Sequence, residues 1–144
     1  MPDKTTRARV AKDKREGKSP GTQAGEYIRE EIHHIREGKH GARSAKQVIA
    51  IGLSKARRAG VALPPPKRAS AAVRRQAARD SESARTHHKV SPARSRASHA
   101  ALEHEGAAAA SHKALSRHAH DAAQHRSGAS RSRSAVKAAR TRRR

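Results

Sequence analysis

The chain contains no cysteine, no phenylalanine and no tryptophan, and only one tyrosine and one methionine. Without cysteine, disulfides, iron–sulfur clusters and thiolate zinc sites are excluded, and a reducing compartment is compatible. Large aliphatics are scarce too: Val, Ile and Leu together number 15 of 144 residues, against 31 Ala. A chain with less than roughly 20% Leu, Ile, Val and Phe and a high net charge is expected to be mostly disordered. One conventional globular domain is therefore not expected, nor an enzyme built around a deep apolar pocket. No apolar run approaches the ~18 residues needed to span a bilayer, and the opening MPDKTTRARVAKDKREGK carries no hydrophobic signal region. These absences predict a cytoplasmic protein.

What is present is positive charge. Lys and Arg number 34 against 12 Asp and Glu, giving a net charge of +22 and a pI near 11.8. Polyanions are the natural partners of such a surface. A membrane-binding basic helix carries Trp, Phe or Leu on its apolar face, whereas the helices available here offer mainly Ala, so no membrane association is expected.

The chain divides into three stretches. Residues 1–18 read as a disordered basic arm. Residues 19–66 hold most of the branched aliphatics and the only Tyr, and read as a helical hairpin with helices at about 20–37 and 44–59. Ser19 is the N-cap of the first helix and Pro20 its N1 residue, where a missing N–H costs nothing. Ala24, Ile28, Ile32 and Ile35 follow at helical spacing, and Gly38 stops the helix. Ser44-x-x-Gln47 has the capping-box pattern, and Val48, Ile49, Gly52, Leu53 and Ala56 share one face of the second helix. Pro64-Pro65-Pro66 forbids its continuation. A segment of about 45 residues rarely sustains a core without disulfides, metal or a partner. The reading is therefore a homodimer through Ile28, Ile32, Ile35, Val48, Ile49 and Leu53, or folding on a ligand.

Residues 67–144 are an Arg-, Ala-, Ser- and His-rich low-complexity tail with 19 Lys and Arg against 5 acids. Its Ala-rich stretches have high helix propensity, but isolated helices of that length are marginal in water, so the tail is expected to be basic and partly helical. The overall class is mostly disordered plus all-α. Cations spaced through Ala and Ser neutralise backbone phosphates, and the lack of interleaved aromatics favours duplex DNA over single strands.

In the hairpin the candidate nucleic-acid contacts are Lys39, Arg43, Lys46, Gln47, Lys55, Arg57 and Arg58. In the tail they are Lys67, Arg68, Arg74, Arg75, Arg79, Arg94, Arg96, Arg117, Arg126, Arg131, Arg133, Arg140, Arg142, Arg143 and Arg144. The start of the second helix, with Ser44, has the amides to hold a phosphate, and a helix-turn-helix reading places residues 44–59 in a major groove. Ser91-Pro92-Ala93-Arg94 has the Ser-Pro-x-basic form that seats a cation in a narrow minor groove. Arg131-Ser132-Arg133-Ser134 is a short Arg-Ser run.

The eleven histidines include the pairs His33-His34, His87-His88 and His118-Ala119-His120, without a His-x3-His pair and carboxylate. No metal or cofactor is expected, and the histidines read as added cationic capacity below about pH 6.5. Glu26, Glu30, Glu31 and Glu37 read as partners for Arg29, Arg36 and Lys39. No catalytic residues are identified.

The segment SAKQVIAIGLSKARRAG at 44–60 resembles a family of small basic bacterial proteins with a Ser-x-Lys-Gln-x-Ile-Ala-Ile-x-Leu-Ser-x-Ala-Arg pattern. Ser44, Lys46, Gln47, Ile49, Ala50, Ile51, Leu53, Ser54, Ala56 and Arg57 carry the likeness, with Gly25–Glu31 and Arg36–Gly41 upstream. The resemblance covers about residues 19–66 and implies a protein of unknown function, some members being labelled DNA-binding or plasmid-stabilisation proteins. The tail resembles linker-histone tails, though it is Arg- and His-rich rather than Lys- and Pro-rich. Together these readings predict a non-enzymatic, histone-like, nucleoid-associated protein that binds DNA with little sequence preference. The alternatives are an RNA- or ribosome-associated protein and a protein-interaction adaptor built on the hairpin.

Overall fold

The computed structural model describes residues 2–67, 69–86 and 91–143. Among these residues the chain forms seven α-helices and one short 3-10 helix, with no strand. In order they are α1 (Lys4–Arg15), α2 (Pro20–Arg36), α3 (Ala45–Arg58), α4 (Ala71–Glu82), α5 (Pro92–Glu103), the 3-10 helix Ala107–Ala110, α6 (His112–Gln124) and α7 (Gly128–Arg142). The expected mostly disordered chain is therefore overturned. The arm expected to be disordered is α1, and the tail expected to be partly helical carries α4 through α7.

The reason is partly local. Each of α2 through α7 starts at a serine, Ser19, Ser44, Ser70, Ser91, Ser111 or Ser127, whose hydroxyl accepts an amide N–H of the first turn. Such caps contribute about 1 kcal/mol each, and alanine-rich interiors cost the least side-chain entropy. Pro at the first turn of α2 and α5 adds fixed φ there. Gly17, Gly38 and Gly60 take positive φ just past the ends of α1, α2 and α3, letting the chain turn back.

The rest of the reason is tertiary. α2 and α3 cross where a Cβ on Gly52 would lie 2.7 Å from the Ile28 Cα. Two apolar clusters flank the crossing. One joins Ala24, Tyr27, Ala56 and Val61, with Val10 of α1, Leu53 and Leu63 against it. The other joins Ile35, Ala42 and Val48 to Ala109 and Ala110, with Ile32 against it. The tail thus supplies core. Leu102 O and Gly106 O accept the Gly41 and Ala42 amides at 2.8 and 3.1 Å, and Arg36 Nε donates to Ala110 O at 3.0 Å. Ile35 and Val48, placed on a face expected to seek a second copy, are buried within the single chain, while Ile28, Ile32, Ile49 and Leu53 are half-buried.

Two polar anchors complete the assembly. Buried Asp13 accepts Lys18 Nζ at 2.7 Å, closing the turn from α1 to α2. Buried Asp80 of α4 accepts from Ser54 Oγ at 2.6 Å, Arg58 Nε at 3.0 Å and Gln76 Nε2 at 3.1 Å. By contrast α5, α6 and α7 bury none of their own residues. No helix among the described residues is long and apolar enough to cross a membrane.

Two outcomes are expected. Gly52→Ala forces α2 and α3 apart and lowers stability by about 1–3 kcal/mol in urea unfolding. Gly25→Ala, whose Cβ meets nothing within 4 Å, raises it by about 0.5–1 kcal/mol. The second concerns pH. The Lys18 ammonium holds the exposed Glu16 carboxyl below its ordinary range, and Asp13, then Glu16, push Lys18 up. A depressed carboxyl stabilises the fold above its unfolded pKa, about 4.3 for glutamate, and loses that contribution as the pH falls through the folded value. Protection of the last-turn amides of α1, relative to their intrinsic exchange at each pH, should fall on acidification below that range, and Lys18→Met should weaken the acid dependence.

Candidate nucleic-acid interface

Placed in the fold, the candidate cations fall into two groups. Most of those on the hairpin are engaged by the protein itself. Lys55 of α3 pairs with Glu31 of α2, a carboxylate only 1% exposed. Arg57 is buried, with Nη2 donating to Pro64 O at 3.4 Å. Arg58 is held by Asp80, Arg43 reaches Glu105 at 3.2 Å, and Lys39 lies 3.1 Å from Glu37. Gln47 closes a variant of the capping box: its amide donates to Ser44 Oγ at 3.3 Å, while its Oε1 accepts from the Arg43 N–H at 2.9 Å. A side chain so occupied is not free to read a base edge. Of the candidate contacts on α3, Lys46 alone is exposed and without an ion pair among the described residues.

The tail cations are arranged differently. Lys67, Arg74, Arg75, Arg94, Arg96, Arg117, Arg133, Arg140, Arg142 and Arg143 are exposed and have no ion pair among the described residues. Arg79 donates to Gln76 Oε1 at 2.9 Å, Arg126 to Ser130 and Ser134, and Arg131 to the Ala123 and Arg126 carbonyls. These contacts hold the guanidinium groups on the surface without cancelling their charge. On α7, Arg133, Lys137 and Arg140 repeat at i, i+4 and i+7, a single stripe rising roughly 10 Å. Arg68, Arg144 and the His87-His88 pair lie outside the described residues.

One place brings both groups together. An open cleft runs between the start of α3 and α6, lined by Arg43, Ser44, Lys46, Arg117, His118 and one carboxylate, Asp121. The positive end of the α3 dipole faces the same cleft, so its chemistry suits a phosphate. Arg117 comes from the tail and is carried there by α6, which the 3-10 helix ties to the hairpin.

The spacing of residues did not single out a second convergence. Asp3, Glu30, Glu31, His34 and His40 meet where the start of α1 lies against the C-terminal half of α2, beside the turn that returns after Gly38. Glu31 and His34 stand one helical turn apart, which the sequence does show. The reach of Lys55 to Glu31, and the return of Asp3 from the other end of α1, it does not.

Residues 15–68 match a family of unknown function (DUF6496). The match takes in α2, α3 and the turns that join them, and ends before α4. No curated protein and no solved structure matches the chain.

Asp80→Ala removes the acceptor for Ser54, Arg58 and Gln76 at once. We expect a loss of about 2–3 kcal/mol of stability, read by urea unfolding, with α4 the first helix to lose amide-exchange protection.

Proposed function

We propose that the protein is a non-enzymatic, histone-like binder of duplex DNA that acts by neutralising phosphates rather than by reading bases. The observation that carries this reading is the division of the cations. Those on the hairpin, Lys46 apart, are spent on internal carboxylates and carbonyls. Those on α4 through α7 are exposed and lack acidic partners among the described residues. Helices α5, α6 and α7 bury none of their own residues, so their side chains are available to a partner. Phosphate contacts position a protein on a duplex without specifying sequence, and nothing on these helices offers the aromatic platforms of single-strand binders. The cleft at the start of α3 supplies one phosphate seat, and the α7 stripe supplies a second surface. The likeness of the tail's composition to linker-histone tails points the same way, to association with the nucleoid.

The test is a gel-retardation series on one long duplex and a matched RNA, run at increasing salt. Affinity for the duplex should fall with a log–log slope of about −0.9 per phosphate contacted. Replacing Arg133, Lys137 and Arg140 together by Gln should make that slope shallower by about 2.7 if each engages one phosphate. A flat salt response overturns the reading. Tighter binding of the RNA at every salt concentration replaces DNA by RNA as the partner.

A further inference from the structure

We propose that Glu31, His34 and His40 form a binding site for a divalent transition-metal ion of the zinc type, independent of the polyanion surface. Three side chains offer one ligand atom each, all within 4.8 Å of one another. Glu31 is 1% exposed, and the His34 and His40 side chains are 13% and 11% exposed. This is an enclosed site on two well-anchored segments rather than a surface scatter of histidines.

When the rings are neutral, the hydrogen bonds around them set their tautomers. His34 Nε2 lies 3.2 Å from Asp3 Oδ2, an acceptor, so the proton sits on Nε2 and Nδ1 keeps its lone pair. His40 Nδ1 lies 3.1 Å from the Gly41 carbonyl, so the proton sits there and Nε2 keeps its lone pair. Both lone pairs then face the same carboxylate: His34 Nδ1 is 3.8 Å from Glu31 Oε1, and His40 Nε2 is 3.4 Å from Glu31 Oε2. These separations exceed the 2.7–3.2 Å of an ordinary N–H···O hydrogen bond. Accordingly, Glu31 Oε2 is buried with no hydrogen-bond partner. Lone pair against lone pair is repulsive unless a cation lies between them. A tetrahedral ion with bonds of about 2.0–2.1 Å holds its ligands roughly 3.4 Å apart; the His40–Glu31 separation has that value, and the His34–Glu31 separation of 3.8 Å would have to shorten slightly around the ion.

The surroundings fit such an ion. A metal-ligating histidine ordinarily donates its other N–H to a carboxylate or a backbone carbonyl, and here His34 has the first and His40 the second. Asp3 occupies the N-cap position of α1, yet its side chain makes no cap bond and turns to His34 instead. Glu30 is buried beside them, accepting the Asp3 amide at 3.2 Å, with its other oxygen unpartnered. Three carboxylates, Asp3, Glu30 and Glu31, thus gather beside the Lys55 ammonium on Glu31 Oε1, with Lys39 near Asp3 and Glu30. Three protein ligands leave the fourth position to water, and binding releases any protons the imidazoles hold.

The experiment uses the full chain stripped with a chelator, then titrated with Zn²⁺ in competition with a chromophoric chelator, and separately with Co²⁺. Wild type should take up one tight equivalent, melt at a higher temperature when loaded, and give the visible Co²⁺ spectrum of a four-coordinate nitrogen–oxygen site. His34→Ala and His40→Ala should each weaken binding by more than a hundredfold and abolish that spectrum. Asp3→Asn, which leaves all three ligands in place, should cost about ten- to a hundredfold. Replacing His118 and His120 by Ala should leave the tight equivalent intact. Far-UV circular dichroism of each variant separates loss of metal from loss of fold, and Asp3→Asn remains informative if a histidine variant unfolds. The proposal is overturned if wild type takes up no tight equivalent, or if binding survives loss of both His34 and His40. It is also overturned if Asp3→Asn abolishes binding that His40→Ala leaves intact, since the ion then sits on Asp3, Glu30 and His34.

Discussion

The close crossing of α2 and α3 at Gly52 governs the rest of the molecule. With no side chain between the two backbones, α3 lies against Ile28 and lays one face along the length of α2. Val48 is brought onto Ile35, Ala56 onto Ala24 and Tyr27, and Lys55 onto Glu31. The outer side, with Ser54 and Arg58, is left for Asp80 of α4. A larger residue at position 52 would disturb all these contacts, because they share one rigid element.

Charge is sorted by the same arrangement. Asp13, Glu30, Glu31 and Asp80 are buried, a third of the 12 acidic residues in the chain. Three of them hold a lysine or arginine as an internal fastener. The acids that could have offset the outer cations are thus withdrawn from the surface, and the helices beyond α4 carry their arginines largely unopposed. Burial of this kind is expensive unless the carboxylate is paired and hydrogen-bonded, and Asp80, with three donors, meets that condition.

How far the fold could be read from the residues depends on the range of the interaction. Ser19 with Pro20, Ser44 with Gln47, and Gly38 and Gly60 are local signals, and they mark the ends of α2 and α3 in the structure. Disorder was the wrong expectation because a composition rule counts large aliphatics, and this core is finished by small ones. Ala109 and Ala110 sit in a run of four alanines that looks like filler, yet Ala110 is completely buried against Ile35 and Val48. Nothing local says that Asp80 will serve Arg58, or that Asp3 will turn to His34. The candidate interface divides the same way. The tail cations are visible in any reading of the chain, but the removal of Lys55 and Arg58 from the interface follows from contacts that only the folded chain brings about.

The alanine plug has a consequence in time. Synthesis delivers the hairpin first and its lid last, since Ala109 and Ala110 follow Val48 by some sixty residues. At about 5–20 residues per second, several seconds separate the emergence of the Ile35–Val48 face from the arrival of its cover. During that interval the nascent chain shows its stickiest surface on a strongly cationic thread. Self-repulsion between neighbouring nascent chains then guards the hairpin against aggregation until its own tail closes over it.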